Sequence, residues 1–393
     1  MSSANSQAGS RHPVDIWDEV IGQARAVQVL QRAVADSGSS AMTHAWLITG
    51  PPGSGRSVAA RAFAAALQCR ESGCGSCQTC RTCLSGAHPD ITLCRTEQLS
   101  IGVDEIRGLA LKSAMSPVSG PWQVLVIEDA DRVTDAGAAA LLKCLEEPAS
   151  RTIWVLCAPN ADDLLATIRS RTREVRLVTP ADNDVAQLLV SRDGVEPEMA
   201  MMAARAAQGH VGRARALARA PEVWESRQLI VELPERLTSL EACLSNAAAV
   251  IAQAQATASA QTASLDQEER EALELTLGLN SRGGRSRQGS AAMTKLEEDQ
   301  KARAKRLQRD AIDHVLTELA TWYRDRMSLQ AGVAESKLIN LSCGDRLQAA
   351  AQATTLEETT NCLEAILQAR RAIDANVAPL LAIEALFVKL GQN

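Results

Sequence analysis

The sequence predicts an α/β core built on a parallel sheet, followed by a small helical domain and a longer all-α C-terminal region. Three observations carry this. Short apolar runs alternate with helical patterns between Ala45 and Leu177, the order expected of strands joined by crossover helices on both faces of a sheet. After Thr179 the strand signal disappears and only helical spacing remains. Aromatic residues are 2% of the chain while Ala and Leu abound, which favours helices packed through small side chains. A chain of 393 residues is long enough for two or three such domains.

Ala45–Thr49 reads as a short buried strand, and Val58 to Gln68, Ala-rich and free of Gly and Pro, as a helix. Between them lies Gly50-Pro51-Pro52-Gly53-Ser54-Gly55-Arg56-Ser57, which fits the phosphate-loop pattern G-x-x-x-x-G-K-[ST] everywhere except at the lysine, here Arg56. Glycines in such a loop let backbone N–H groups turn toward a phosphate at a helix N-terminus. The lysine of the pattern reaches the terminal phosphates, and Ser57 stands where the magnesium ligand would be. Arginine keeps the charge on a longer, planar fork and is no simple replacement. The loop therefore points to a nucleotide site, or to descent from one, with ATP or ADP bound weakly or not at all.

Five of the eleven cysteines follow the first helix: Cys69, Cys74, Cys77, Cys80 and Cys83. Two-residue spacings let thiolates converge on one ion, and zinc takes four tetrahedral sulfurs. Cys69, Cys74, Cys77 and Cys80 are the candidate ligands of a structural zinc, with Cys83 and His88 as alternatives. Iron–sulfur clusters share the spacing. The other six cysteines are scattered and read as small core residues.

Val124-Leu125-Val126-Ile127 is a second strand, ending in Glu128-Asp129. Acidic residues at such a strand end are where a P-loop protein organises magnesium and the attacking water. Asp135 to Glu146 reads as a helix with Leu141, Leu142 and Leu145 on one face and Pro148 as its stop, and Ile153 to Cys157 as a further strand. The basic turn Arg169-Ser170-Arg171-Thr172-Arg173 precedes a weaker strand at Glu174–Leu177. By itself the turn is a solvated basic segment; in a ring of nucleotide-binding subunits Arg171 could reach a neighbour's γ-phosphate.

Ala181 to Ser191, Pro197 to Gln208 and Gly212 to Arg219 read as three short helices. Beyond Pro221 the pattern is helical but interrupted: Ala247 to Ser264 is low in complexity and reads as a plain helix or a loosely ordered stretch, Asn280 to Ser290 as a flexible basic loop, Glu297 to Arg309 as a solvated helix face, and Trp322-Tyr323 as core. Leu363, Ile366, Leu367, Ile373, Leu380, Leu381, Ile383, Leu386, Phe387 and Leu390 recur at helical spacing, as terminal helices with one buried side require. The net charge of −6 argues against a strong autonomous nucleic-acid binder, so contact with DNA would be local or shared. No apolar run approaches the roughly 20 residues of a membrane span. Met1 to Pro13 is polar without an apolar segment, so a cytoplasmic location without membrane contact is expected.

These pieces together resemble the delta-prime subunits of the bacterial DNA polymerase III clamp loader, within the AAA+ superfamily. The motifs that carry the resemblance are Trp17-Asp18-Glu19-Val20-Ile21-Gly22-Gln23, His44-Ala45-Trp46-Leu47 leading into the P-loop, the cysteine segment, His88-Pro89-Asp90, Leu141-Leu142-Lys143-Cys144-Leu145-Glu146-Glu147-Pro148, and Ser170-Arg171-Thr172. It is dense from about Trp17 to Arg219. It implies an AAA+ core at 15–179 with a zinc module at 69–83, a helical lid at 180–220 and a helical collar at 221–393; from composition, 1–14 is expected to be disordered, and about 245–305, which matches no motif of the family, to be a flexible insertion. Arg171 takes the place of the arginine finger that acts in trans on the ATP of a gamma/tau neighbour. Active members carry Lys in the P-loop, Asp-Glu at the strand end and an arginine in the lid, whereas this chain has Arg56, Glu128-Asp129 and Gly212. The implied role is a non-hydrolysing loader subunit, working in DNA replication with gamma/tau and delta subunits, the sliding clamp and primer–template DNA. The alternatives are a working AAA+ ATPase of the gamma/tau type and a zinc-stabilised interaction protein without a nucleotide role.

Overall fold

A computed structural model describes residues 15–38, 42–96, 100–277 and 287–392. The described chain divides into two compact units, one up to residue 219 and one from 220 onward. The core and the three helices expected as a lid share the first unit. The expected disordered segment at 1–14 and residues 280–286 of the basic loop lie outside the described residues.

The first unit begins with a 3-10 turn at Ile16–Glu19 and runs α1 (Ala24–Ala35), β1 (Ala45–Thr49), α2 (Arg56–Gln68), α3 (Gln78–Leu84), β2 (Ile91–Cys94), α4 (Val103–Ser113), β3 (Gln123–Ile127), α5 (Asp135–Glu146), β4 (Thr152–Ala158), α6 (Ala166–Arg169), β5 (Arg173–Arg176), α7 (Asp182–Asp193), α8 (Pro197–Ala207) and α9 (Val211–Arg219). The five strands form one parallel sheet in the order β2-β3-β4-β1-β5. The glycine-rich loop leaves β1, and the sheet is the parallel α/β core expected from the sequence.

Every residue of β1, β3 and β4 is buried, as a parallel sheet covered on both faces requires. The pleat sorts their side chains. Trp46, Ile48, Val124, Val126, Ile153 and Val155 face α1, α2 and the cysteine segment, while Ala45, Leu47, Leu125, Ile127, Trp154 and Leu156 face α4 and α5. The alanines of α2 let that helix approach closely, and its Phe63 meets Trp46 edge to face at 5.2 Å. The helix at Asp135–Glu146 starts on Thr134, whose hydroxyl accepts from Gly137 N–H. β2 and α4 were not singled out in the sequence: β2 is a four-residue strand buried only at its ends.

The second unit comprises α10 (Pro221–Val231), α11 (Leu233–Arg236), α12 (Leu240–Thr276), α13 (Arg287–Gln330), α14 (Gly344–Ala353), α15 (Leu356–Asp374) and α16 (Pro379–Leu390). Trp322 and Tyr323 are core residues, packed with Leu316, Leu347, Ile366, Ile383 and Phe387. The segment expected as a flexible insertion at about 245–305 is instead helical wherever described. Ala247 to Ser264 lies wholly within α12, because alanine and glutamine are good helix formers and a neighbouring helix supplies the packing. That neighbour is α13, running antiparallel. Away from the apolar core the seam is polar: Arg303 Nη2 lies 2.5 Å from Glu269 Oε2, and Gln300 Nε2 donates to the Asp266 carbonyl at 2.9 Å.

Candidate nucleotide and metal sites

The P-loop leaves the C-terminal end of β1, and Glu128-Asp129 leaves the same end of β3, so the parallel sheet brings both to one edge. Gly55 begins α2 at φ +92° and Gly53 stands at φ +81°, conformations that favour glycine. The loop is folded on itself. Arg56 Nη1 donates to the carbonyl of Gly50. His210, just ahead of α9, packs on Gly53 so closely that a β-carbon there would lie 2.5 Å from the His210 Cβ. Burial and the charge of Arg213 lower the His210 pKa, favouring the neutral ring, whose Nδ1 accepts from Arg213 N–H at 3.3 Å. Ser57 sits in the first turn of α2, and its carbonyl accepts from Arg61 Nε at 3.2 Å. Arg61 also lies 3.6 Å from Glu128. The phosphate-facing elements are thus engaged with one another, a poor fit to a triphosphate. Gln23 closes the same region, donating to the carbonyls of Ser54 and Val178 at 3.2 and 2.6 Å.

The cysteine segment behaves differently. α2 delivers Cys69 at its C-terminal end, and Cys77 caps α3, accepting from Cys80 N–H at 3.3 Å. The sulfurs of Cys69, Cys74, Cys77 and Cys80 all lie within 4.8 Å of one another, and Cys69 is 3.8 Å from both Cys74 and Cys77. Tetrahedral zinc with bonds near 2.3 Å separates its sulfurs by about 3.8 Å. The four thiols therefore fit one such ion, and when bound it would cross-link α2, the loop and α3. Cys83 is buried outside the quartet, its thiol pushed up to about 12 by burial. His88 is turned away: its Nδ1 accepts from Asp90 N–H at 3.2 Å. Backbone N–H groups of Cys77 and Ser76 bring the Cys74 thiol down to about 6, whereas burial, then Cys77 and Cys69, pushes Cys80 up.

Two features went unread in the sequence. The Asp90 carboxylate accepts from the backbone of Val118, Ser119 and Gly120 at 2.6, 2.7 and 2.6 Å, fixing the loop that enters β3. Glu146, at the end of α5, pairs with Arg171 at 2.6 Å. Arg171 itself is exposed, ahead of β5. Since Trp46 of β1 pairs with Arg173 and Thr49 with Arg176 in parallel register, Arg171 stands at the N-terminal edge of the sheet and the P-loop at the opposite one. No helix among the described residues is long and apolar enough to cross a membrane.

Comparison with known proteins falls on this same core. A family model described as DNA polymerase III, delta subunit matches residues 22–181. The delta' subunit of DNA polymerase III from Bacillus subtilis is 33% identical over 199 residues, covering 50% of this chain and 60% of that protein. Its Escherichia coli counterpart is 33% identical over 196 residues, covering 48% and 58%. A DNA polymerase III subunit gamma/tau from Mycobacterium bovis is 34% identical over 169 residues, covering 41% and 29%. In each case the chain spans less than two thirds of the relative's own length. Over this core the chain is therefore similar to the delta' subunits of DNA polymerase III.

Proposed function

We propose that this chain is a clamp-loader subunit of DNA polymerase III that does not itself hydrolyse ATP and lends Arg171 to the ATP site of a neighbouring gamma/tau subunit. One observation carries the reading: Arg171 and the P-loop lie at opposite edges of one parallel sheet. Four residues of strand rise, roughly 13 Å, separate the level of Arg173 from that of Gly50, and Arg171 lies ahead of Arg173, so a subunit's own Arg171 is remote from its own phosphate loop. A guanidinium exposed at that edge is useful to another molecule's phosphate, where an arginine finger is worth about 10³–10⁵ in rate. The contacts of Arg56 with Gly50 and of His210 with Gly53 support a spent site of its own.

The remaining assignments follow the family: the four-cysteine site as structural zinc, the second unit as the collar, gamma/tau and delta as partners, and the sliding clamp and primer–template DNA as what the cytoplasmic complex acts on. A gamma/tau-type ATPase is the competing reading, favoured by the comparable identity to gamma/tau. Arg56, the Glu128-Asp129 order and Gly212 weigh against it. The test is ATP turnover of the reconstituted loader with clamp and primed DNA, comparing Arg171→Ala in this subunit with wild type and following assembly by gel filtration. A large drop with assembly intact is expected; unchanged turnover would refute the trans role.

A further inference from the structure

Arg171 is held within its own subunit. Its Nη2 lies 2.6 Å from Glu146 Oε1, and its Nη1 donates to the Thr167 carbonyl at 3.0 Å and to Ser170 Oγ at 3.1 Å. Glu146 is the last residue of α5, where the carbonyl end of the helix adds negative potential. One of the carbonyls there, that of Leu145, accepts from His44 Nε2 at 2.8 Å. The flanking arginines have other partners: Arg169 pairs with Asp162, and Arg173 stacks 5.0 Å from the Trp46 ring.

We propose that Glu146 is a positioning residue for Arg171, a latch that keeps the guanidinium against its own subunit until a neighbour's triphosphate displaces it. The inference rests on the trans role of Arg171 proposed above. The Arg171 and Glu146 side chains are 36% and 49% exposed, and pairs so exposed are individually weak. A triphosphate offers more charge and several acceptors, so the exchange runs toward it. While the latch is closed, only a fraction of the fingers is competent, and apparent engagement falls by that fraction.

The test uses the loader reconstituted with gamma/tau and delta subunits. ATP turnover is measured over a range of ATP concentrations, with and without clamp and primed DNA, for Glu146→Gln, Glu146→Ala, Glu146→Asp, Arg171→Ala and the double variant Glu146→Gln/Arg171→Ala. Glu146→Gln and Glu146→Ala are expected to raise unstimulated turnover about two- to five-fold and to leave the stimulated maximum unchanged. Glu146→Asp is expected to restore the wild-type ratio, and the double variant to behave as Arg171→Ala. If Arg171→Ala leaves stimulated turnover intact, the trans role fails and the latch with it. If Arg171→Ala abolishes it while both Glu146→Gln and Glu146→Ala leave unstimulated turnover unchanged or lower it, the latch alone is overturned. Gel filtration and melting of each variant establish that the comparison is made on assembled complexes.

Discussion

His210 rests directly on Gly53: a β-carbon added to that glycine would come within 2.5 Å of the His210 Cβ and 2.6 Å of its Cα. The contact joins the three-helix segment to the phosphate loop through the His210 Cα, Cβ and Cγ, the root of the side chain and not a flexible tip, so neither partner can yield cheaply. Gly53→Ala adds both this overlap and a non-glycine residue at φ +81°. We expect a loss of about 1–3 kcal/mol, read as a lower melting temperature. His210→Gly should recover part of it in the double variant; a Gly53→Ala protein that melts like wild type would sink the packing argument.

Arg56 donates to Gly50 within its own loop. Arg56→Ala should therefore leave turnover of the assembled loader nearly unchanged. A collapse of turnover with assembly intact would mean that this loop serves a nucleotide after all.

The cysteine quartet separates ligands from bystanders. Cys77→Ser should lose bound zinc, measured by elemental analysis, and lower the melting temperature of the first unit, because structural-site binding energy is folding energy. Cys83→Ala, outside the quartet, should retain full metal content. Equal zinc in wild type and Cys77→Ser would rule the assignment out.

Asp90 gives a pH dependence with a defined sign. Burial raises its pKa, but the N–H groups of Val118, Ser119 and Gly120 outweigh it, so the folded-state value lies below the ordinary one. A depressed carboxyl contributes stability that is fully present above the unfolded value of about 4 and is lost as the pH falls through the lower folded value. Asp90→Asn should cost about 2 kcal/mol near neutrality, with the gap to wild type closing on acidification below pH ~4. Melting curves across that range check it, and a gap independent of pH would contradict the clamp.

In the second unit, Arg303 is buried in the seam between α12 and α13 against Glu269. Arg303→Ala should speed amide exchange around 266–270 and 300–304 by roughly tenfold or more, as loss of a charge-assisted hydrogen bond predicts. Exchange unchanged in both stretches would show that the helices hold without it.

How legible all this was depends on which interactions decide each element. Strands β1, β3 and β4 were readable because burial on both faces leaves near-continuous apolar runs. The quartet was readable because ligand spacing is local. β2 escaped notice because an edge strand of four residues carries too little pattern. The segment at 245–305 stayed open between a plain helix and a flexible insertion because low complexity suits both, whereas its helical order is supported by a partner helix distant in sequence. Gly53–His210, Asp90–Gly120 and Glu146–Arg171 join residues far apart in the chain, and no local motif announces such pairs.

The parallel register of β1 and β5 has a consequence for assembly. A module whose phosphate loop leaves one rim of its sheet and whose arginine turn enters at the other has a head and a tail. Modules joined head to tail form a series with polarity. In such a series the rim where His210 packs on Gly53 would face one neighbour and the rim that carries Arg171 the other.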